Sequence, residues 1–164
     1  MSRNQILTLG LSLGFVTVLM ASNARATDPK PSQLITVKTG STTCSAGPFS
    51  GKAFDEAPNP DGTQGAFSIP AGQVLVITDT ALGGTGGGVG NRGELDVLAL
   101  PAGSRFNQSF ITIDSSGSMT RQFTFPSGVA VKSGVTLCAF AIDETVGASI
   151  TVDGTVHGYF APDR

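Results

Sequence analysis

The sequence predicts an all-β protein, and three observations support this class. Apolar residues recur with a period of 2 along most of the chain after residue 33. Turn residues interrupt that pattern every eight to twelve positions, which is typical of an antiparallel sandwich or barrel. No amphipathic pattern with a helical period exceeds two turns in residues 27–164. We therefore expect a two-sheet antiparallel sandwich of the jelly-roll or Greek-key type, with about eight to nine strands, and a closed barrel as the alternative.

The first 26 residues have the form of a secretory signal peptide. Arg3 supplies a positive charge, residues 6–20 are largely apolar, and Ala24-Arg25-Ala26 matches a small-x-small cleavage site. A membrane anchor is the alternative, but the apolar stretch is short for a span of about 20 residues and contains three hydroxyl side chains. We therefore expect cleavage after Ala26 and a secreted or periplasmic location.

Cleavage would leave two segments of different character. Residues 27–33 read TDPKPSQ and form a polar leader, and residues 34–164 form a single β-sandwich domain. The signal peptide contains two arginines and no acidic residue, so its removal changes the formal net charge from −2 to −4. A chain with this charge and no basic patch is not expected to bind nucleic acid. We also expect no membrane span after cleavage.

The strands can be assigned in order along the chain. The pattern predicts a short strand at residues 34–37, a long loop over 46–65, and a strand at 66–69 that ends in a Pro-Ala-Gly turn. A continuous apolar run within residues 73–82 predicts a central strand that is covered on both faces. Further strands are predicted at residues 94–100, 105–113, 119–125, 129–131, 135–142 and 148–160. Gly154 lies in the last of them and indicates a bulge or bend.

Two segments resemble parts of small exported bacterial β-sandwich proteins of uncharacterised function. They are FSIPAGQVLVITDT at residues 67–80 and VHGYFAPDR at residues 156–164. The resemblance covers the central strand pair and the C-terminal strand. It implies a secreted β domain and transfers no catalytic residue.

The chain has two cysteines, Cys44 and Cys138. An even pair in an exported protein usually forms a disulfide, which here would close a loop of about 95 residues. Two buried free thiols are the alternative, and the absence of a Cys-x-x-Cys spacing disfavours a metal site. We expect the bond to fasten the N-terminal segment onto the core.

A glycine-rich segment occupies residues 83–93, in which seven of eleven residues are glycine. It satisfies G-x-G-x-x-G, but the residues that follow form a predicted strand instead of the helix that a dinucleotide site requires. No lysine follows in the position that a P-loop requires. We expect a long flexible connection between strands, or a rim loop that orders against a ligand, with Arg92 as its one charged side chain.

Oxygen-bearing side chains cluster in the sequence DEAPNPDG, where Asp55, Asn59 and Asp61 are candidate calcium ligands together with Glu56. The spacing of a calcium-binding loop is not met. A turn stabilised by asparagine, aspartate and proline is the alternative. We expect no other metal and no cofactor.

The chain's one histidine, His157, lies on the less apolar face of the last predicted strand, two residues before Tyr159. A Ser-His-Asp triad would have to use it, but no G-x-S-x-G sequence exists, and one histidine cannot build a zinc site. Paired carboxylates can hydrolyse glycosides without histidine. The residues that could form such a pair are Asp79, Glu94, Asp96, Asp143 and Glu144.

These observations predict an exported, non-enzymatic binding or structural module whose ligand is unknown. We expect a contact to involve Arg92, His157 and Tyr159, if the glycine segment and the last strand meet. A carbohydrate-binding module is the first alternative, although the chain has no tryptophan and one tyrosine for sugar stacking. A secreted hydrolase is the second. Apolar residues on both faces of several strands would also allow packing into a homo-oligomer.

Overall fold

The computed structural model describes residues 34–59 and 61–164, and within them it contains ten strands and no helix. The strands are β1 Leu34–Ala46, β2 Phe49–Pro58, β3 Gln64–Ala66, β4 Gln73–Thr85, β5 Arg92–Leu100, β6 Ser104–Thr112, β7 Ser118–Lys132, β8 Thr136–Asp143, β9 Ala148–Ser149 and β10 Thr151–Pro162. All observed pairings are antiparallel, so the predicted all-β antiparallel class is confirmed. The predicted signal peptide (1–26) and leader (27–33) lie outside the described residues.

All ten strands belong to one sheet. Its main path runs β6-β5-β8-β2-β1-β10-β4-β7, while β3 pairs with β2 and β9 pairs with β8. The sheet curls until its two edge strands, β6 and β7, come into contact, which makes it nearly closed and barrel-like. Asn107 on β6 donates through Nδ2 to Thr80 Oγ1 on β4 at 3.0 Å and links the two sides. The predicted division into two sheets is not confirmed, because hydrogen bonding is continuous from one edge to the other.

The interior is filled by the inward-facing residues of these strands. Because successive side chains of a strand point to opposite faces, the period of 2 in the sequence gives one apolar row per strand. Leu75 and Ile77 of β4, Leu95 and Val97 of β5, and Val156 of β10 are almost completely buried in one common core. Burial of these rows supplies the main driving force for the fold.

Two predicted loops are strands in part. The prediction of a loop over residues 46–65 is wrong, because β2 lies within this range and β3 begins in it. The prediction of a long connection over residues 83–93 is also wrong, because β4 continues to Thr85 and β5 begins at Arg92. Gly84 shows why glycine is needed in β4, since a Cβ there would lie 2.9 Å from Met119 Cε and 3.0 Å from Ala141 Cβ. The glycine therefore lets core side chains pack directly against the strand.

Strand β7 joins two strands that were predicted separately at residues 119–125 and 129–131. Pro126 lies within it and lacks a backbone N–H, which an edge strand tolerates because only one of its sides is paired. β7 pairs with β4 alone. Within the described residues there is no helix long and apolar enough to cross a membrane.

The predicted disulfide between Cys44 and Cys138 is confirmed, with an S–S distance of 2.00 Å. It joins β1 to β8, which are separated by β2 in the sheet. The bond lies in a second apolar cluster apart from the interior, which contains Ala53, Leu98 and Phe140 as its other buried members. Leu98 alternates with the inward residues of β5, so this cluster covers the outer face of the sheet at β2, β5 and β8.

Candidate functional site

Strand β5 places two acidic side chains side by side on the outer face. Leu95 and Val97 point into the core, so Glu94 and Asp96 point outward. Both are nevertheless buried, with 4% of Glu94 and 1% of Asp96 exposed. Acidic side chains are rarely buried to this degree unless they are paired. Their partners therefore define the site.

The main partner is Arg105, which β6 places against β5. Its Nη1 donates to Glu94 Oε1 at 2.7 Å and lies 2.9 Å from Asp96 Oδ2. Gln108 Nε2 also donates to Glu94 Oε1, and the carboxyl group of Glu144 is hydrogen bonded to that of Glu94. We call these five residues the carboxyl cluster.

The three acids of the carboxyl cluster have different proton affinities. Burial raises the pKa of Asp96 to about 7, and the charge of Glu94 adds to this effect against the opposing charge of Arg105. Burial would also raise the pKa of Glu94, but hydrogen bonds from Glu144 and Gln108 and the charge of Arg105 outweigh it and lower that pKa. The hydrogen bond to Glu94 raises the pKa of Glu144.

One oxygen of the cluster, Asp96 Oδ1, is buried without a hydrogen-bond partner. A buried carboxyl group with an unpaired oxygen destabilises a fold, and an apolar residue of similar size would often be better there. Perturbed carboxyl groups of this kind concentrate at functional sites. The cluster therefore marks the outer face of β5 and β6 as a candidate site.

Arg92 lies beside this cluster, at the start of β5. Its guanidinium carbon is 3.9 Å from the centre of the Phe110 ring on β6, a cation–π contact. The backbone N–H of Glu144 donates to the Arg92 carbonyl at 2.9 Å, and the Arg92 N–H donates to Thr145 Oγ1 at 3.2 Å. These bonds hold the turn after β8 against Arg92.

The glycine turn over residues 86–91 is fixed to the same turn by Asp143. The buried carboxylate of Asp143 accepts hydrogen bonds from Asn91 Nδ2 and the Gly88 N–H, each at 2.8 Å, and from the Thr145 N–H at 3.1 Å. The bonds from Asn91 and Gly88 lower the pKa of Asp143. Asp143 therefore has a structural role that is separate from the carboxyl cluster.

Three exposed apolar side chains lie on segments next to Arg92. Among the described residues, four large hydrophobic side chains are exposed: Leu34 (61%), Val89 (64%), Phe110 (46%) and Val146 (67%). Val89 lies in the glycine turn, Val146 lies in the turn after β8, and Phe110 contacts Arg92 directly. We call Val89, Arg92, Phe110 and Val146 the Arg92 patch.

His157 and Tyr159, which the sequence grouped with Arg92, lie on β10. They share an outer face as expected, and His157 Nδ1 is 3.0 Å from Thr36 Oγ1 of β1. However, β10 is the fourth strand from β5 along the sheet. Asp79 is the register partner of His157 on β4 and belongs to that face. The sheet therefore does not bring these residues together with Arg92, and their role in binding stays a prediction.

The candidate calcium ligands do not share one loop. Asp61 Oδ1 accepts hydrogen bonds from the N–H and Oγ1 of Thr63, which lower the pKa of Asp61, and Asn59 Nδ2 also donates to Thr63 Oγ1. Asp55 lies on β2. In the described part of the chain, no group of three or more histidine, cysteine, aspartate or glutamate residues could hold a metal ion. Calcium binding there stays a prediction without a structural argument.

Sequence reasoning did not single out Arg105, Gln108 and Phe110. A usable signal was the presence of two acids at alternate positions of a strand whose other residues are apolar, since such acids require a neighbouring cation. No protein-family model, curated protein or solved structure matches this chain. Its function must therefore be inferred from the geometry of its own residues.

Proposed function

We propose that this chain is an exported, non-enzymatic module that binds a protein partner through the Arg92 patch. The observation that carries the proposal is that three of the four exposed large hydrophobic side chains in the described residues lie on segments next to one arginine. Phe110 contacts Arg92, Val89 precedes it in the glycine turn, and Val146 lies in the turn that is hydrogen bonded to the Arg92 backbone. Clustered exposed apolar side chains mark interaction surfaces more often than they mark free surface. Arginine is enriched among the residues that dominate binding energy.

The carboxyl cluster supports this proposal by making the patch rigid. Arg105 and Gln108 tie β6 to Glu94 of β5, and Phe110 belongs to the same edge strand β6. A surface that is held in its bound shape loses less conformational entropy when a partner binds. Glu144 places a carboxyl group next to Arg92, so the patch is bordered by a cation and by a hydrogen-bonding acid, which favours a specific partner.

The accessibility of the carboxyl pair favours binding over catalysis. Glu94 and Asp96 could act as acid and base in principle, as the hydrolase alternative requires. Both lie behind Arg105, however, and are almost completely buried. A substrate could reach them only if Arg105 moved away.

Export and a sandwich-like packing belong to the same proposal. The sequence of residues 1–26 and the Cys44–Cys138 disulfide support a secreted or periplasmic location. Contacts of β4 with β5 and β8 across the interior support a description as two facing layers, β6-β5-β8-β2 and β1-β10-β4-β7.

Site-directed photocrosslinking tests the proposed function. Phe110 is replaced by a photoreactive phenylalanine analogue in the full-length chain, which is expressed and irradiated in its own host. We expect a discrete adduct with one protein, identified by mass spectrometry. The adduct should be lost when Arg92→Ala and Val146→Ser are added, because both changes remove contacts of the patch.

Leu34 provides the matched control, because it is also an exposed large hydrophobic side chain but lies on β1. The photoreactive analogue at position 34 should not yield the adduct, and Leu34→Ser should not abolish the adduct formed from position 110. The proposal is overturned if no discrete adduct forms, or if the adduct persists in the Arg92→Ala/Val146→Ser variant. An adduct with a second copy of this chain would show that the partner is the same protein and that the patch is an interface of a homo-oligomer.

A further inference from the structure

The Arg92 guanidinium makes no ion pair and no hydrogen bond to another described residue. The ion pairs of the described chain use Lys52, Arg105 and Lys132 as their cations. The one hydrogen bond between Arg92 and a described side chain uses its backbone N–H, which donates to Thr145 Oγ1. Arg92 is exposed, and its guanidinium lies over the Phe110 ring. Its N–H groups are therefore available to a group from another molecule.

The acidic side chains near Arg92 are engaged by other groups. Glu94 lies two positions further along β5 on the same outer face, and its Oε1 accepts the two hydrogen bonds from β6 described above. The carboxylate of Asp143 is held by the glycine turn. The carboxyl group of Glu144 is hydrogen bonded to that of Glu94, which raises the pKa of Glu144. A hydrogen bond between two carboxyl groups requires a proton, so this pair carries less negative charge than two carboxylates.

The Phe110 ring fixes the orientation of the guanidinium. At 3.9 Å from the ring centre, the guanidinium carbon lies above the face of the ring, where the π-system attracts a cation. Arginine presents its N–H donors in a planar fork that fits the two oxygens of a carboxylate. Because the stacked side chain has already lost part of its rotational freedom, binding of a carboxylate costs less conformational entropy.

A protein that covers the Arg92 patch would remove water from this guanidinium. Val89 and Val146 are exposed on the two turns next to Arg92, so a partner that covers them also approaches the cation. A cation that is buried without a negative partner destabilises a complex, because it loses its hydration without compensation. Charge complementarity therefore favours a partner that brings its own carboxylate to Arg92.

We propose that the Arg92 patch recognises an acidic side chain flanked by apolar residues in a segment of its partner protein, an inference that rests on the proposed function. The carboxylate accepts two N–H groups from Arg92, and its apolar neighbours cover Phe110 and the exposed valines of the adjacent turns. Charge-assisted bonds of this two-point kind are stronger and more directional than neutral ones. An amide in place of the carboxylate leaves the guanidinium without a counterion.

Two synthetic peptides of nearly the same shape test this inference, acetyl-Leu-Asp-Leu-amide and acetyl-Leu-Asn-Leu-amide. Amide resonances of the exported protein are followed by NMR during titration with each peptide. We expect saturable shifts at Val89, Phe110 and Val146 with the Asp peptide, and about fivefold weaker binding of the Asn peptide. In Arg92→Gln the two peptides should bind equally, because the cation that distinguishes them is gone. Arg92→Lys should give an intermediate ratio, because lysine keeps the charge but not the planar fork.

Arg121→Gln is the matched control, because Arg121 is also exposed and makes no ion pair in the described chain but lies on β7. It should leave the ratio of the two affinities unchanged. The inference is overturned if the wild type binds both peptides equally, if Arg92→Gln keeps the wild-type ratio, or if no saturable shift occurs up to about 20 mM peptide. A crosslinked partner together with equal peptide affinities would overturn this inference alone, whereas a preference for the Asp peptide without any crosslinked partner would overturn the proposed function alone.

Discussion

The outer face at β5 and β8 and the outer face at β10 and β4 belong to the same sheet, yet one is buried and the other is open. Cys138 and Phe140 point outward from β8 and are almost inaccessible. His157 and Asp153 point outward from β10 and are exposed. Both regions consist of antiparallel strands, so the difference in burial is explained by what covers them.

Two covering devices act on the buried face. The disulfide brings Cys44, near the β1–β2 turn, over β8, and the side chain of Arg105 covers Glu94 and Asp96. The sequences reflect this difference: β8 reads TLCAFAID, with apolar residues at nearly every position, whereas β10 alternates. An outer face can thus become a second core in a small domain when a crosslink and one long side chain close over it.

Removal of the disulfide should have the largest effect on this comparison. Cys44→Ala combined with Cys138→Ala opens a loop with a sequence separation of 94 residues and uncovers the outer cluster. We expect a loss of roughly 4 kcal/mol in the free energy of unfolding and a fall in Tm of 10 °C or more. This loss is measured by urea denaturation of the oxidised protein, the reduced protein and the variant. Equal midpoints for all three would show that the crosslink is not what stabilises the buried face.

The charge of Asp96 should make the buried face sensitive to pH. Its pKa is raised to about 7 in the folded protein, so the folded state binds more protons than the unfolded state between about pH 4 and pH 7. Stability is therefore lost as the pH rises through this range and levels off above pH 7. Asp96→Asn should gain stability relative to the wild type by about 2 kcal/mol between pH 5 and pH 8.

Thermal or urea unfolding at pH 5, 6, 7 and 8 measures the effect of Asp96→Asn. Asp79→Asn is the matched control on the open face, where Gln122 and Thr124 donate to an exposed carboxylate. If the difference in the free energy of unfolding between the wild type and Asp96→Asn is the same at every pH, the raised pKa of Asp96 is contradicted.

The smallest effect is expected on the open face. Thr36→Ala combined with His157→Ala removes a contact that also joins two strands, but both groups lie in an exposed environment. We expect a change within about 0.5 kcal/mol, because exposed contacts of this kind are readily replaced by water. Urea denaturation at pH 7 tests this, and a loss above about 1 kcal/mol would remove the distinction between the two faces.

The predictable parts of the fold are the strands in which every second side chain points into the core. β4, β5, β8 and β10 were predicted near their observed positions for this reason, and the disulfide followed from the presence of two cysteines. β2 was missed because Asp55, Glu56 and Pro58 belong to residue types that are typical of turns. Their place in a strand depends on pairing with β1 and β3, the strands that precede and follow β2 in the sequence, and residue type alone does not reveal that pairing.

The candidate site was predictable only as a list of residue types. Glu94, Asp96 and Glu144 were named as possible carboxylate partners, but the β5–β6 and β5–β8 registers determine that they meet. Asp143, which is adjacent in sequence, instead anchors the glycine turn. Arg92 was identified from its place in the glycine-rich segment 83–93, whereas its contact with Phe110 depends on the same β5–β6 register.

The near closure of the sheet has a consequence for the behaviour of this protein at high concentration. Free strand edges are templates on which other chains can add and start fibrils. Here the two edges of the main path, β6 and β7, face each other, and β7 also carries Pro126, which cannot donate a backbone hydrogen bond. The molecule can therefore display the apolar side chains of the Arg92 patch while offering little open edge for polymerisation.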